Sequence, residues 1–382
     1  MKRHIITPRS NWLDRAEEVG FTFHTRGLPG EPGIGTYWDE SVAYEFTSEE
    51  IDKLYNATLE VHNRCLDLVN DICNKNPHKL DIMGIPKPYH NYIINTWNRG
   101  DPMLYGRFDF AFKGGDSEPK MLEYNADTPT MVIETALMQW FWLQDVKPGS
   151  DQFNSLHEHL LEQFKFLKTL IKNESFYFAC YTDNEEEYKT CQYFQDLATQ
   201  AGVDAKIIDI NQIGWDGAKF VDMDNKHMKF WFKLYPWEWM LKDQFGINTI
   251  GDSSGIVEPC WKMLLSNKAM LPMLHELFPN HPNIPRASFT KFEGDLVEKP
   301  FLSREGSNIK IIKDNKIVQE TQGLYASDNV IYQEFAETFN QDGFNAILGC
   351  WMVGNEPCGM IVRDHNQLIV QERSRVVPHY FG

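Results

Sequence analysis

The chain of 382 residues is predicted to adopt a mixed α/β fold, and three features of its sequence predict it. A long amphipathic helix lies in the first third, a strand–helix–strand unit lies near the middle, and short strands joined by tight turns follow residue 294. A chain of this length exceeds the usual size of one hydrophobic core, so we expect either two or three subdomains or one elaborate α/β unit. We place approximate boundaries between three intertwined segments, 1–130, 131–260 and 261–382.

Residues 47–73 predict the most regular helix. Thr47 and Glu50 have capping-box spacing, and apolar residues then recur three and four positions apart. Thr128 and Pro129 are typical of an N-cap and a first-turn proline, which predicts that a helix begins there and runs through TMVIETALMQWFWL. A second amphipathic helix, SLHEHLLEQFKFLKTLIK, is predicted to follow.

The middle of the chain predicts a parallel βαβ unit of the Rossmann-like kind. Its parts are the strand SFYFACYT, the helix EEEYKTCQYFQDLATQ closed by Gly202, and the strand DAKIIDI. The first strand–helix junction has no GxGxxG sequence, so no dinucleotide site is expected. A strand KFWFKLYP, a helix near Trp239 and one continuous helix over CWKMLLSNKAMLPMLHELF are predicted next.

The last part of the chain is predicted to consist of strands and turns. The predicted strands are LVEKPFL, NIKIIKDNKIVQE, VIYQEFAE and a meander over AILGCWMVGNEPCGMIVRDHNQLIVQER. Cys350 and Cys358 could face each other across this meander. Two buried thiols are favoured over a disulfide, because the seven cysteines are scattered and form no CxxC pair.

The composition argues against several classes of protein. A net charge of −17 disfavours a surface for nucleic acid or for an anionic membrane. The N-terminus lacks the apolar region of a signal peptide, and the richest apolar run, LMQWFWL, is too short to span a bilayer. Together with cysteines that suit a reducing environment, these features predict a soluble, cytoplasmic protein.

One stretch, RFDFAFKGGDSEPKMLEYNADTPT, places polar residues within two apolar runs. Because strand side chains alternate, Arg107 and Asp109 share a face, as do Glu123 and Asn125. If the runs pair, two carboxylates and an amide converge as the oxygen-only set that Mg²⁺ prefers, beside a guanidinium suited to phosphate. The same alternation also predicts an ordinary hairpin with one solvated face, although Asp and Asn are poor strand formers.

A second stretch, VEKPFLSREGSNIKII, predicts a loop between two strands. Lys299 lies in an apolar strand, and Ser303, Arg304, Gly306 and Ser307 follow it in a loop that suits a cover over phosphates. It is not a Walker A loop, because GxxxxGK[ST] does not occur and no helix follows. A hairpin turn with one snorkelling lysine is the ordinary alternative.

Three further features have ordinary structural explanations when each is taken singly. Lys268 lies near a predicted helix start, YQEF follows a strand and suits backbone contacts to an adenine, and Arg363 closes an apolar strand. Together with the hairpin and the loop, they are the parts of a site for a nucleoside triphosphate.

The motifs RFDFAF, LEYNADTPT, EKPFLSREGSNI, YQEF and CGMIVRD, in this order, resemble the synthetase domain of the glutathionylspermidine synthase family. The resemblance implies an ATP-grasp-like fold and a carbon–nitrogen ligase that uses ATP and two Mg²⁺ ions. In that family the metal ligands match Asp109, Glu123 and Asn125, and the arginine that stabilises the transferring phosphoryl group matches Arg107.

The resemblance implies further roles, position by position. The implied contacts to ATP are Lys268, Lys299, Arg304, Glu305, Gly306, Ser307, Tyr332, Gln333, Glu334 and Phe335. Arg363 is implied to approach the reacting phosphate, and Thr128, Thr130 and Glu238 are implied to hold substrate.

The resulting hypothesis is an acid–amine ligase that joins a small-molecule or peptide carboxylate to an amine through an acyl phosphate, with polyamines among the candidate amines. Segment 1–130 would then hold the metal-binding hairpin, 131–260 the substrate region, and 261–382 the lid and the nucleotide-binding strands. Segment 131–260 contains no motif that identifies glutathione or spermidine.

Two other functions remain open, and one further activity is not expected. A non-catalytic nucleotide-binding or scaffold protein would keep the same site, and a glycosidase would use Asp109 and Glu123 but leave the lysines without a role. Bifunctional members of the family carry an N-terminal amidase domain. No room for such a domain precedes RFDFAF, so no amidase activity is expected.

Overall fold

The computed structural model describes residues 1–25, 36–371 and 374–382. Within these residues the α-helices are α1 Trp12–Glu18, α2 Ser48–Asn74, α3 Lys79–Ile82, α4 His90–Asn98, α5 Gln139–Val146, α6 Leu156–Ile171, α7 Glu185–Gln200, α8 Trp237–Met240, α9 Met263–Ser266 and α10 Met270–Leu277. A π-helical turn, Glu134–Met138, runs directly into α5. Short 3-10 turns lie at Lys87–Tyr89, Ile210–Gln212, Gly246–Ile250 and Cys260–Lys262.

The strands are short except for two that lie near the C-terminus. In chain order they are β1 Lys2–Ile5, β2 Val42–Phe46, β3 Tyr105–Ala111, β4 Lys120–Asn125, β5 Ser175–Cys180, β6 Asp204–Asp209, β7 Gly214–Trp215, β8 Phe220–Val221, β9 Phe230–Lys233, β10 Gly255–Val257, β11 Ala287–Ser288, β12 Leu296–Pro300, β13 Lys310–Lys313, β14 Lys316–Glu320, β15 Val330–Glu334, β16 Phe339–Gln341, β17 Phe344–Val353, β18 Glu356–His365, β19 Arg375–Val377 and β20 His379–Phe381.

The largest sheet joins the two ends of the chain. Its strand order is β19–β18–β17–β3–β4, with β16 also paired to β17, and all neighbours are antiparallel. Strand β3 lies in segment 1–130, whereas β17 lies in segment 261–382. The polar hairpin is therefore held in place by strands from the other end of the sequence.

A four-stranded parallel sheet lies in the middle segment, in the order β10–β9–β5–β6. Helix α7 connects β5 to β6 and packs on both strands. The side chain of Asn184 caps α7, and Gly202, with φ +81°, follows its end. The predicted Rossmann-like βαβ unit is confirmed.

A five-stranded antiparallel sheet, β11–β15–β12–β13–β14, carries Lys299 and the loop that follows it. A small sheet of β1, β2 and β20 lies apart from it.

Helix α2 confirms the predicted helix with a capping box, and it packs into the apolar core. Thr47 and Glu50 make both hydrogen bonds of the capping box, and the apolar face of α2 is buried. One apolar cluster contains Leu54 from α2, Trp231 from β9 and Leu348 from β17. This apolar cluster therefore draws on all three predicted segments.

The helix predicted from the threonine–proline pair at 128–129 begins instead at Val132. Met131, just before it, has left-handed backbone with φ +78°. The cause is a tertiary contact, because the guanidinium of Arg107 donates to the backbone carbonyl of Thr130 (Nη1···O 2.5 Å) and holds it outside the helix. The predicted N-cap was therefore wrong.

The continuous helix predicted over residues 260–278 was also wrong, because the chain breaks at Asn267 between α9 and α10. The amide of Asn267 donates to the carbonyl of Met83 (2.9 Å), and the backbone N–H of Lys268 donates to the carbonyl of Phe301 (2.7 Å). Both partners are distant in sequence, so helix propensity could not reveal the break.

The last strand of the predicted meander is not formed. Strand β18 ends at His365, residues 366–369 form a bend, and residues 372–373 lie outside the described part of the chain. All seven cysteines are buried free thiols, as predicted for Cys350 and Cys358. None of the helices in the described ranges is both long and apolar enough to cross a membrane.

Candidate active site

The site is built on the hairpin of β3 and β4, whose two faces differ in chemistry. Antiparallel pairing places Arg107 opposite Asn125 and Asp109 opposite Glu123. The four polar side chains therefore share one face, as their alternation predicted. On the other face, two aromatic rings of the hairpin stack with their centroids 3.7 Å apart. The hairpin is anchored by its apolar face and presents its polar face to a cavity.

Strand β17 leaves room for the arginine of the hairpin. Gly349 pairs with Asp109, and a Cβ atom at this glycine would lie 2.9 Å from Cδ of Arg107. The guanidinium of Arg107 lies over the ring of Trp351, 5.4 Å from its centroid, and contacts Asp109 (Nε···Oδ1 3.2 Å). Any residue other than glycine at position 349 would displace the side chain of Arg107.

A second arginine approaches the same carboxylate from β18. Arg363 Nη2 lies 2.6 Å from Asp109 Oδ2, which also accepts a hydrogen bond from the amide of Asn125 (3.2 Å). Among the described residues, the buried Nε of Arg363 has no hydrogen-bond partner. A buried donor without a partner is costly. This one is suited to an anion in the cavity.

Two lysines flank the second carboxylate. Glu123 pairs with Lys268 (Oε2···Nζ 3.1 Å), and Lys299 donates to the backbone carbonyl of Leu122 (2.8 Å) and to the amide oxygen of Gln333 (2.7 Å). Burial opposes ionisation of Glu123, but the nearby cations dominate and lower its pKa to about 2. Burial lowers the pKa of Lys299 to about 8.

The predicted metal ligands fit Mg²⁺ by their chemistry. Asp109, Glu123 and Asn125 offer two carboxylates and an amide oxygen on one strand face, lining the cavity. Hard oxygen donors of this kind suit Mg²⁺. In the described ranges no group of three or more His, Cys, Asp or Glu side chains is arranged to hold a metal. The predicted set differs from such a group because it includes the amide of Asn125.

Arg304, which was predicted to contact ATP, lies with two residues that were predicted to hold substrate. Its guanidinium contacts Glu238 (Nη2···Oε1 2.9 Å) and donates to the hydroxyl of Thr128 (3.0 Å). It also lies over the ring of Trp239, 5.4 Å from its centroid. The loop after β12 therefore reaches across the cavity to the α8 segment.

The same loop depends on left-handed backbone. Glu305 and Gly306 have φ of +52° and +68°, and a Cβ atom at Gly306 would lie 2.3 Å from the carbonyl oxygen of Val370. The hydroxyl of Thr321 donates to the carbonyl of Gly306 (2.5 Å). The loop is thus packed closely against the segment that follows β18.

These features surround one cavity of about 580 Å³. The predicted site residues that line it are Arg107, Asp109, Glu123, Asn125, Thr128, Thr130, Glu238, Lys268, Lys299, Arg304, Glu305, Gly306, Phe335 and Arg363. One part of its wall is apolar and includes Val297, Ile309, Ile311 and Phe335.

Four predicted ATP contacts do not line this cavity: Ser307, Tyr332, Gln333 and Glu334. Gln333 is buried, and its amide bridges Lys299 and the carbonyl of Met121. Tyr332 pairs across the sheet with Glu298, and Glu334 accepts from the backbone of Arg286 (3.4 Å). Their side chains support the strand, while Phe335 contributes to the wall.

One part of the cavity lining consists of residues that the sequence did not predict. It includes Phe23, Tyr37 and Glu187, and the hydroxyl of Tyr37 donates to the buried carboxyl of Glu134 (2.7 Å). Burial raises the pKa of Glu134 to about 8, and Glu186 adds to this rise. The available signal was Glu134, the single acidic residue within the apolar run TMVIETALM, because an acidic residue that is buried with apolar neighbours is an informative exception.

The whole chain is similar to several known proteins. A family described as glutathionylspermidine synthase preATP-grasp matches residues 3–382. A Haemophilus influenzae protein, provisionally named an acid–amine ligase, is 36% identical over 404 aligned positions that cover 100% of both chains. The trypanothione synthetase of Crithidia fasciculata is 26% identical over 94% of this chain, and the bifunctional glutathionylspermidine synthetase/amidase of Escherichia coli is 25% identical over 88%.

The chain covers 60% and 58% of the length of these two longer proteins, and the family match leaves no amidase domain within its 382 residues. Among solved structures, a glutathione synthetase-like effector from Globodera pallida superposes with a TM-score of 0.58 at 12% identity, over 99% of this chain and 98% of that chain. This likeness and the family description confirm the predicted ATP-grasp-like α/β fold. The chain belongs to the glutathionylspermidine synthase family.

Proposed function

We propose that the protein is an ATP- and Mg²⁺-dependent ligase that joins a carboxylic acid to an amine. One observation carries the proposal: four cationic side chains converge on the two carboxylates of the hairpin. These are Arg107, Arg363, Lys268 and Lys299, around Asp109 and Glu123. Four cations against two carboxylates leave a formal excess of two positive charges, which suits a polyanion such as a triphosphate.

Asp109, Glu123 and Asn125 would hold the metal, with two ions expected. When bound, the metal would supply positive charge that offsets the negative charge of the phosphates. The apolar wall around Val297 and Phe335 would take the adenine.

The protein side chains would act mainly by position and charge. A carboxylate oxygen of the acid, placed near Thr128, Thr130 and Glu238, would attack the γ-phosphorus, and ADP would leave. Arg107 and Arg363 would stabilise the charge that develops during transfer. The nitrogen of the amine would then attack the acyl carbon of the acyl phosphate, releasing phosphate and a proton.

An acyl phosphate reacts readily with water, so the site must be covered while it exists. The loop at residues 303–308 spans the cavity, with Arg304 reaching Glu238 and Thr128. We infer that this loop is the cover that excludes water.

The test is amine-dependent release of ADP from ATP and Mg²⁺, with a panel of peptides, amino acids and polyamines. Glutathione and spermidine come first in the panel, because the names of two relatives contain them. Asp109→Asn should lower the rate on the order of a hundredfold, because it removes a buried charge at the reacting phosphates. Asp116→Asn, on the exposed turn of the same hairpin, is the matched control.

Two results would contradict the ligase. One is the absence of amine-dependent ADP release across the whole panel, and the other is full activity in Asp109→Asn. Binding of ATP without turnover would instead support the non-catalytic nucleotide-binding protein. We also propose that the protein works in the cytoplasm, since all seven of its cysteines are buried free thiols.

A further inference from the structure

Asp127 follows the metal-binding hairpin and lines the cavity, but its hydrogen bonds go to Lys233 and Trp237 and not to the cations around Asp109 and Glu123. It is 1% exposed, and its two carboxylate oxygens bind different parts of one neighbouring segment. Oδ1 pairs with Nζ of Lys233 at 2.5 Å, and Oδ2 accepts from the backbone N–H of Trp237 at 2.8 Å. This carboxylate therefore ties the end of the hairpin to the segment between β9 and α8.

Lys233, at the end of β9, has no exposed surface and contacts the same segment twice more. Its ammonium donates to the carbonyl of Tyr235 (3.0 Å) and lies over the ring of Trp237, 4.8 Å from its centroid. The pair thus fixes the backbone on both sides of Pro236. Neither charge reaches solvent, so each depends on the other.

The residues directly after this anchor are those that receive the loop. Glu238 and Trp239 contact the guanidinium of Arg304, and Thr128, the neighbour of Asp127, accepts its hydrogen bond. Glu238 and Trp239 thus lie within two residues of Trp237, whose backbone N–H binds Asp127, and Thr128 lies next to Asp127 itself.

We propose that Asp127 and Lys233 are positioning residues. They hold Glu238, Trp239 and Thr128 in the arrangement that binds Arg304. This contact keeps the loop over the end of the cavity where the acid substrate would bind. The inference deepens the proposed ligase function and rests on it for its catalytic consequence. Its structural part, the anchoring of the loop, does not depend on turnover.

The test uses the double variant Asp127→Asn/Lys233→Met in the full chain. It removes both charges together, so no buried charge is left alone, and asparagine keeps an oxygen for the N–H of Trp237. Hydrogen–deuterium exchange is measured on residues 301–309 in the ligand-free protein. We expect exchange there to become about tenfold faster, because the loop loses its ordered partners.

Asp71→Asn/Lys79→Met is the matched control. This pair has the same two residue types, is also buried, has an Nζ···Oδ2 distance of 2.9 Å, and lies near the end of α2, outside the cavity lining. It should leave exchange of residues 301–309 within about twofold of the wild type, even if it lowers the melting temperature. Unchanged loop exchange in the Asp127 variant, or equal changes in both double variants, would overturn the proposal.

Kinetics provide the second readout, with glutathione as the acid probe and spermidine as the amine. The Asp127 double variant should raise the KM for the acid about tenfold while the KM for ATP stays within about twofold, and more ADP should form per amide. A purely structural pair would lower the amount of active enzyme and leave both KM values unchanged. That result would overturn the positioning role.

If the double variant does not fold, Glu238→Gln tests the same contact from the receiving side. It should also loosen residues 301–309, and unchanged exchange would contradict the proposal. If no acid and amine give ADP release with the wild type, the proposed function fails, while the exchange measurement still decides whether the pair anchors the loop.

Discussion

Glu134 is a carboxyl group that the fold holds in its neutral form near pH 7. It is 1% exposed and accepts a hydrogen bond from Tyr37 (2.7 Å). Burial is the main cause of its raised pKa of about 8, and Glu186 contributes further. Arg107 lowers this pKa, and Tyr37, the partner of Glu134, lines a part of the cavity that the sequence did not predict. The charge state of Glu134 therefore affects both stability and the local field.

The pKa of Glu134 predicts a pH dependence of stability that Glu134→Gln should remove. The folded-state pKa lies above the ordinary value, so the folded protein holds this proton more tightly than the unfolded chain does. The associated stability is present below about pH 4.5 and is lost as the pH rises through about 8. From pH 6 to pH 8 the wild type should lose about 2 kcal/mol of unfolding free energy more than Glu134→Gln.

Urea denaturation of both proteins at the two pH values measures this difference. Glu162→Gln, on the exposed face of α6, is the control and should follow the wild type. Equal losses in the wild type and in Glu134→Gln would show that Glu134 does not change its charge between pH 6 and pH 8, which would contradict the prediction.

At the scale of residues, the sequence predicted side chains whose partners follow from local rules. Period-two alternation put Asp109 and Glu123 on one face, and the pairing register confirmed their proximity. It could not predict the partners of Asp127 or Glu134, because Lys233 and Tyr37 come from distant strands and loops. Only the packed fold determines which buried charge meets which.

At the scale of elements, the loop between β12 and β13 is sensitive to the addition of a single methyl group. Gly306→Ala would add a Cβ atom 2.3 Å from the carbonyl of Val370, in backbone that already has φ +68°. We expect the loop to move away from the segment after β18. The fraction of ATP hydrolysed without amide formation should then rise several-fold, because water would reach the acyl phosphate.

Gly343→Ala separates the effect of contact from the effect of backbone strain. Gly343, in the turn between β16 and β17, has φ +82°, but a Cβ atom added there would have no neighbour within 4 Å. Both variants should lose roughly 1 kcal/mol of stability from strain, while only Gly306→Ala should uncouple ATP hydrolysis. The same uncoupling in both variants would contradict a role for close packing of the loop.

The sequence located well those elements whose starts or ends have local signals. The capping box starts α2, and Gly202 follows the end of α7 as predicted. The break at Asn267 has no such signal, because its causes are the carbonyls of Met83 and Phe301. This break sets the position of Lys268, a predicted site residue that lines the cavity although the helix around it was predicted incorrectly.

At the scale of the whole molecule, the cavity joins parts of the chain that are far apart in sequence. The central sheet pairs β3 with β17, and the cavity wall adds Glu238 on α8 and Lys299 on β12. The three segments predicted from the sequence all contribute residues to one apolar cluster, which no local sequence pattern could reveal. Ligand binding at this cavity should therefore stabilise the chain as a unit.

Thermal unfolding with ATP tests this coupling. A ligand that binds only the folded state adds RT ln(1 + [L]/Kd), which is about 2.7 kcal/mol at a hundred times Kd. For a chain of this size the melting temperature should rise by about 3 °C. ATP with Mg²⁺ should raise it more than ATP alone, and Asp109→Asn should lose this extra rise while Asp116→Asn keeps it. Because two of the segments share one sheet and all three share one apolar cluster, we expect a single unfolding transition whose melting temperature rises with ATP. Two transitions, of which only one responds to ATP, would show that the segments unfold independently.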